Sequence, residues 1–308
     1  MKAKYDAQTD PGKIRENNED CFIVQKLWND TCLLCAAIDG MGGYEGGEVA
    51  ASIAKETIVD SLVNCQNCEN ILQALEAAVI EANNRIIGER GQDLRLKNMG
   101  CVATVGIIDL ENALLYMAHV GDSRLYLFRE GRLQKLSHDH SLVGYREEIG
   151  ELTEEEAMAN PNRNIISRSL GEKLINEMGQ DYIELGIFPL YSGSQLLFCT
   201  DGLFDMATSL DISGVLSQDI GVKEKNRQLI DLANERGGND NITVVLVELG
   251  KNPNKKIKKH KKKKGTSSPI YTQDDDSVVS LSVSLLALLL MAALCVGFVI
   301  GYMFKPYF

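Results

Sequence analysis

Four acidic groups mark the places where this sequence could do chemistry. Arg15-Glu16-Asn17-Asn18-Glu19-Asp20 precedes one apolar run, Asp39-Gly40-Met41-Gly42-Gly43 follows another, Asp201-Gly202 follows a third, and Asp240-Asn241 opens a fourth. Hard divalent cations such as Mg²⁺ or Mn²⁺ take oxygen donors, and carboxylates at strand ends supply them. The neighbouring glycines let backbone approach closely. Each group alone is a weak signal, because Asp-Gly after a strand is a common turn. Their joint use requires a fold that brings several strand ends to one place.

The elements that would do this are mostly strands. Apolar or alternating runs bounded by turn residues cover Cys21 to Leu27, Thr31 to Ile38, Cys101 to Leu110, Ala113 to His119, Arg124 to Phe128, Leu196 to Thr200 and Asn241 to Leu249. Short polar connections such as Asp109 to Asn112 and Glu130-Gly131 favour antiparallel hairpins. Two amphipathic helices follow Gly47, with apolar residues at Val49, Ile53, Ile58 and Leu62, then at Ile71, Leu75, Val79, Ala82 and Ile86. Another is expected over Val222 to Arg236. The expected class is α+β, with antiparallel sheets packed face to face under helical cover.

The order and surroundings of the acidic groups resemble the metal-dependent protein phosphatases of type 2C. The resemblance runs through R-E-N-N-E-D (15 to 20), D-G-M-G-G (39 to 43), G-D-S-R (121 to 124), D-H-S-L-V (139 to 143), N-I-I-S-R-S-L-G (164 to 171), T-D-G-L-F-D (200 to 205) and N-D-N-I-T-V-V (239 to 245). It implies two antiparallel sheets in a central sandwich flanked by helices, a four-layer α-β-β-α arrangement. It also implies a pair of Mn²⁺ or Mg²⁺ ions. Asp39 would bridge them, the Gly40 carbonyl would be a further ligand, and Asp201 and Asp240 would complete the first site. Asp20 would be the acid that holds the attacking water, Asp122 the ligand of a third, weaker ion, and Arg15 the clamp on the substrate phosphate. The physical logic is independent of the family: paired cations lower the pKa of water and neutralise phosphoryl charge, so no protein nucleophile is required.

One position departs from many members of that family. Where they carry a histidine proposed as general acid, this chain has Met41, and a thioether cannot donate a proton. His138 and His140 precede the segment corresponding to the family's flap, roughly Leu142 to Ser169, and are expected to be structural or merely near the site. Cys32/Cys35 and Cys65/Cys68 have the spacing of a zinc site. Residues three apart in a strand face opposite ways, however, so Cys32 and Cys35 are expected to be buried thiols rather than ligands of one metal.

Composition sets the outer limits. The 308 residues carry a net charge of −11, but residues 251 to 308 hold 10 Lys+Arg and 3 Asp, leaving 22 basic against 40 acidic residues, or −18, in residues 1 to 250. A body that acidic repels a phosphate backbone, so no nucleic-acid partner is expected. The eight cysteines are irregularly spaced, unlike a secreted disulfide framework, and the N-terminus shows no signal-peptide core. The domain boundaries expected are a catalytic domain over 1–249, a Lys-rich linker over 250–277, an apolar run over 278–304 and a short tail over 305–308. That run is uncharged and exceeds the roughly 20 residues that span a bilayer, so it reads as a transmembrane helix. Nine lysines before it would form a cytoplasmic flank that adheres to anionic lipid.

Together these readings describe a membrane-anchored protein serine/threonine phosphatase with a cytoplasmic catalytic domain. Its partners would be phosphoproteins, the substrates of a serine/threonine kinase. The alternative is a catalytically inactive relative that binds phosphoproteins as a membrane scaffold. Loss of a metal carboxylate would mark it, whereas Asp39, Asp201 and Asp240 are all present.

Overall fold

The computed structural model describes residues 1–42, 46–65, 70–91, 96–178 and 181–250. The linker and apolar run expected over 250–304 lie outside the described residues, apart from Gly250. Among the described residues no helix is long and apolar enough to cross a membrane.

Side-chain alternation in the strands sets the layers. In β3 (Cys32–Met41), Leu34, Ala36 and Ile38 face one apolar layer, while Leu33, Cys35 and Ala37 face another. A strand covered on both sides needs apolar residues at every position, which is why β3 reads as one continuous run. Its neighbours are β2 (Cys21–Leu27) and β4 (Gly100–Asp109), followed by β5 (Leu114–Val120) and β8 (Glu184–Pro189), giving one antiparallel sheet ordered β2-β3-β4-β5-β8. The second sheet is ordered β1-β10-β9-β6-β7, from β1 (Lys2–Asp10), β10 (Ile242–Gly250), β9 (Gln195–Cys199), β6 (Arg124–Arg129) and β7 (Arg132–Lys135).

Three apolar layers hold this together. Helices α1 (Gly46–Asn64) and α2 (Ile71–Arg90) bury Ala54, Ile58, Leu75, Val79 and Ile86 against the outer face of the first sheet. Leu33, Met117, Leu196, Phe198, Val245 and Val247 fill the space between the sheets. On the far side, α5 (Asp201–Phe204), α6 (Ser209–Leu216) and α7 (Val222–Glu235) cover Leu197, Val244 and Leu246. The four-layer sandwich expected from the sequence is therefore present. Cys32 and Cys35 fall in different layers as free thiols, so they do not share one metal; Cys65 is held in a disulfide, and Cys68 lies outside the described residues.

Between β7 and β8 lies a segment with two short helices, α3 (Leu142–Glu148) and α4 (Glu154–Met158). Each start is capped by a side chain: Ser141 Oγ accepts from the Gly144 N–H, and Thr153 and Glu156 form a reciprocal capping box. Three strands went unrecognised in the sequence: β1, β7 and β8. In addition, Asp39, Gly40 and Met41 belong to β3 itself, paired with Val102, Cys101 and Gly100, rather than to a turn after it.

Candidate active site

Strand register collects the acidic groups. Ile38 pairs with Cys21, which places Asp20 beside Asp39 at the end of β2 and β3. Asp39 pairs with Val102, and Gly121 packs on the Val102 side chain so tightly that a Cβ there would lie 2.1 Å from it. Gly121 adopts φ +108°, a conformation that favours glycine, and it delivers Asp122 to the same end of the sandwich. From the second sheet, β9 runs through Thr200 into Asp201 at the start of α5, and β10 begins just after Asp240-Asn241. All the predicted carboxylates thus meet at one end of the two sheets. A Cβ on Gly40 would lie 2.2 Å from the Gly47 carbonyl oxygen and 2.5 Å from that of Glu19. That position must be glycine for the strand end, α1 and the 11–20 loop to close together.

Asn241 ties the two sheets at this end. Its Nδ2 donates to the carbonyls of Pro11 (3.0 Å) and Asn17 (2.9 Å), and its Oδ1 accepts from the Glu19 N–H (2.9 Å). Thr200 Oγ1 donates to Asp20 Oδ2 at 2.8 Å, a second link from the β9 end to the β2 end. Neither residue was assigned a task from the sequence. Asn241 lies inside the N-D-N-I-T-V-V motif, next to Asp240.

The carboxylates are electrostatically strained. Burial pushes Asp39 well above the usual carboxylate range, and Asp20, Asp201, Asp122 and Asp240 push it further. Asp201 is raised likewise, by burial and then by Asp122, Asp205, Asp240 and Asp20. Asp20 is lifted to about 7, chiefly by burial and against the hydroxyls of Thr243 and Thr200. Asp122 also reaches about 7, through burial, Asp139 and Asp205, with Arg124 opposing. Two oxygens, Asp20 Oδ1 and Asp201 Oδ1, are buried without a hydrogen-bond partner. An unsatisfied buried acceptor costs about 1–3 kcal/mol, more when charged. Converging carboxylates, orphaned oxygens and a glycine-lined cradle are a donor set that fits hard divalent cations.

Two details differ from the simplest expectation. Arg15, 54% exposed, directs its guanidinium to Asp240 Oδ2 at 2.7 Å, so the expected phosphate clamp rests on an expected metal ligand. The carboxylates, although gathered at one end of the sheets, do not bring three oxygens within 4.8 Å of one another. Among the described residues, the three donors whose ligand atoms all lie within 4.8 Å of one another are instead His119, His140 and Glu184. Their hydrogen bonds argue against a metal there. His119 Nδ1 meets the Thr104 hydroxyl and its Nε2 the carbonyls of Gly121 and His138. His140 Nδ1 accepts from the Gly121 N–H, and Glu184 accepts from both the backbone and the ring of His138.

Behind Asp122, Arg124 forms a buried hub. It donates to Asp139 Oδ2 at 2.6 Å and to Glu147 Oε2 at 2.8 Å, and it stacks on Phe204 at 3.9 Å. Arg163 donates to Asp205 at 2.5 Å, and Ser209 donates to Glu154 from both its N–H and Oγ. The segment from Leu142 to Ser169 is thereby pinned over a cavity of about 30 Å³ lined by Asp122, Asp201, Asp205, Arg163 and Val143. Arg124 and Asp139 both stand in motifs read from the sequence, where neither had a role.

Residues 15–246 match the family model described as protein phosphatase 2C. The protein phosphatase PhpP of Streptococcus pneumoniae is 36% identical over 242 residues, covering 78% of this chain and 95% of that protein. The solved serine/threonine phosphatase of S. agalactiae is 35% identical with a TM-score of 0.70, covering 80% of this chain and all of that one. The catalytic domain of the serine/threonine protein phosphatase PstP, solved in complex with two manganese ions, is 30% identical with a TM-score of 0.69 over 81% of this chain and 99% of that one. The chain belongs to the protein phosphatase 2C family and is a metal-dependent protein phosphatase acting on phosphoserine and phosphothreonine. Its activity depends on Mn²⁺ or Mg²⁺.

Proposed function

We propose that this chain is a membrane-tethered serine/threonine phosphatase whose acidic cleft holds two divalent ions, bridged by Asp39. Asp201 and Asp240 would complete the first site, the Gly40 carbonyl would be a further ligand, and Asp122 would serve a third, weaker ion. The observation that carries this reading is the mutual elevation of the buried carboxylates together with the two orphaned oxygens of Asp20 and Asp201. When bound, the ions supply an acidified water and neutralise the phosphoryl oxygens.

The chain's own residues do the rest. Asp20, fixed through Oδ2 by Thr200, keeps Oδ1 free to orient the attacking water. Arg15 can offer its remaining N–H groups to the phosphate while it steadies Asp240. Asn241 holds the 11–19 loop, and so Arg15, at the cleft. Met41 supplies no proton, so the proton for the leaving alkoxide has to come from a group other than Met41. Phosphoproteins made by a serine/threonine kinase are the substrates that such a cleft suits.

The membrane part of the proposal rests on the sequence alone. The uncharged run over 278–304 anchors the chain, and the preceding lysines keep the catalytic domain on the cytoplasmic side and touch anionic lipid. The test of the chemistry is hydrolysis of a phosphothreonine peptide with and without Mn²⁺. Activity should vanish in chelator and return with the ion, and full turnover in excess chelator after stripping would refute the assignment.

A further inference from the structure

His140 lies between the turn that carries Asp122 and the base of the 142–169 segment. Its backbone N–H donates to the Gly121 carbonyl at 2.7 Å, and its Nδ1 accepts from the Gly121 N–H at 3.1 Å. Its own carbonyl accepts from the Ser167 N–H at 2.7 Å and from Ser167 Oγ at 2.9 Å, while Ser141 forms a β-bridge with Ile166. One residue therefore holds the position before Asp122 by two bonds and closes the base of the segment by two more. The turn has little freedom of its own, because Gly121 is at positive φ against Val102. Its other flank leads to the same segment: Arg124, two residues after Asp122, donates to Glu147 of α3.

Other roles for His140 fail on its hydrogen bonds. Since Nδ1 is an acceptor, the ring proton sits on Nε2 and the imidazole is neutral. Burial, with His119 and Arg168 adding, pushes it down to about 3, so it is no proton donor near neutral pH. Ligating a metal through Nε2 would require losing that proton as well, while Nδ1 still accepts from the backbone. What remains is the work of its geometry.

We propose that His140 is a positioning residue that locks the Asp122 turn to the base of the 142–169 segment, so that cation binding at Asp122 and ordering of that segment are thermodynamically linked. The linkage rests on the reading of Asp122 as a cation ligand; the tie itself does not. Linkage is reciprocal: whatever steadies the segment tightens the Asp122 site, and the reverse.

The test uses the full-length chain with His140→Ala and His140→Asn. An asparagine Oδ1 falls near the position of histidine Nδ1 and can accept from the Gly121 N–H, which alanine cannot. Mn²⁺ isotherms by calorimetry and amide exchange of Gly121, Ser167 and residues 142–169 are the readouts. His140→Ala should weaken the weakest Mn²⁺ event by about three- to tenfold, the effect of one lost hydrogen bond, and leave tighter binding unchanged. It should also speed exchange at Gly121 and across 142–169 without changing the β3–β4 ladder, and His140→Asn should restore both. Wild-type behaviour in His140→Ala, or an asparagine variant as impaired as the alanine one, would overturn the proposal. Mn²⁺ should slow exchange across 142–169 in the wild type and not in Asp122→Ala. An unchanged isotherm in Asp122→Ala would overturn the cation reading of Asp122 and the linkage with it, and the exchange at Gly121 and Ser167 would then decide the tie alone.

Discussion

Asp39 is the one side chain proposed to touch both ions, and removing half of its donor capacity should be felt in both. Asp39→Asn is expected to lower kcat at least 10²-fold, about 2.7 kcal/mol of transition-state stabilisation, in a Mn²⁺-saturated phosphopeptide assay. Arg15→Ala should instead raise KM more than it lowers kcat, and loss of turnover at unchanged KM would remove Arg15 as the clamp. The raised carboxyls make a separate prediction. Asp20 and Asp122 titrate near 7 in the folded chain, against about 4 unfolded, so near pH 6 they hold protons that a cation must displace. Folded pKa values above the unfolded ones favour the folded metal-free chain at low pH, and that contribution is lost as pH rises through 7. Mn²⁺ binding should therefore release more protons at pH 6 than at pH 8, measurable by calorimetry in buffers of different ionisation enthalpy. Equal release at both would show that these groups are already ionised. Asp39, Asp201 and Asp240 were legible in the sequence because an acid beside a strand end leaves a local trace. Asn241 and Thr200 were not, because their partners Pro11, Asn17 and Asp20 are distant in the chain and leave no periodic signal.

At the level of elements, legibility followed burial. β3, β4 and β10 are covered on both faces and appear as unbroken apolar runs. β1, β7 and β8 escaped notice because edge strands need little apolar character. β1 reads KAKYDAQTD with most positions partly exposed, β7 has four residues, and β8 contains Gly186 and Pro189. The acidic loop between β1 and β2 is the element on which the site depends most, and Asn241 is its fastening. Asn241→Ala removes the partners of two backbone carbonyls and one N–H, and should cost about 2–4 kcal/mol in denaturant unfolding. Because Arg15 and Asp20 ride on that loop, the variant should also raise KM for phosphopeptide at a denaturant-free, fully folded state. A loss of stability with KM unchanged would mean that the loop holds its place without Asn241.

The whole chain joins a self-contained catalytic body to a segment of different character. β1 pairs along all of β10, from Asp10 opposite Ile242 to Lys2 opposite Gly250, and β9 pairs with its other side, so β10 is flanked on both sides by residue 250. Among the described residues, every strand, every covering helix and every proposed site residue lies before that point. Residues 1–250 should therefore fold alone, stay soluble with their charge of −18, and retain Mn²⁺-dependent turnover on a phosphothreonine peptide. If the uncharged run over 278–304 anchors the chain as proposed, the full-length chain should sediment with membranes and resist extraction by salt, because apolar burial is not weakened by salt. Deleting 278–308 while keeping the nine lysines should leave only salt-sensitive binding to anionic vesicles, since exposed charges are screened within about 8 Å at physiological ionic strength. The lysines precede the run and only Lys305 follows it, so the catalytic body should face the cytoplasm. Protease added to intact cells should spare it. Digestion of the phosphatase domain while cytosolic controls survive would reverse the topology, and with it the assignment of cytoplasmic phosphoproteins as substrates.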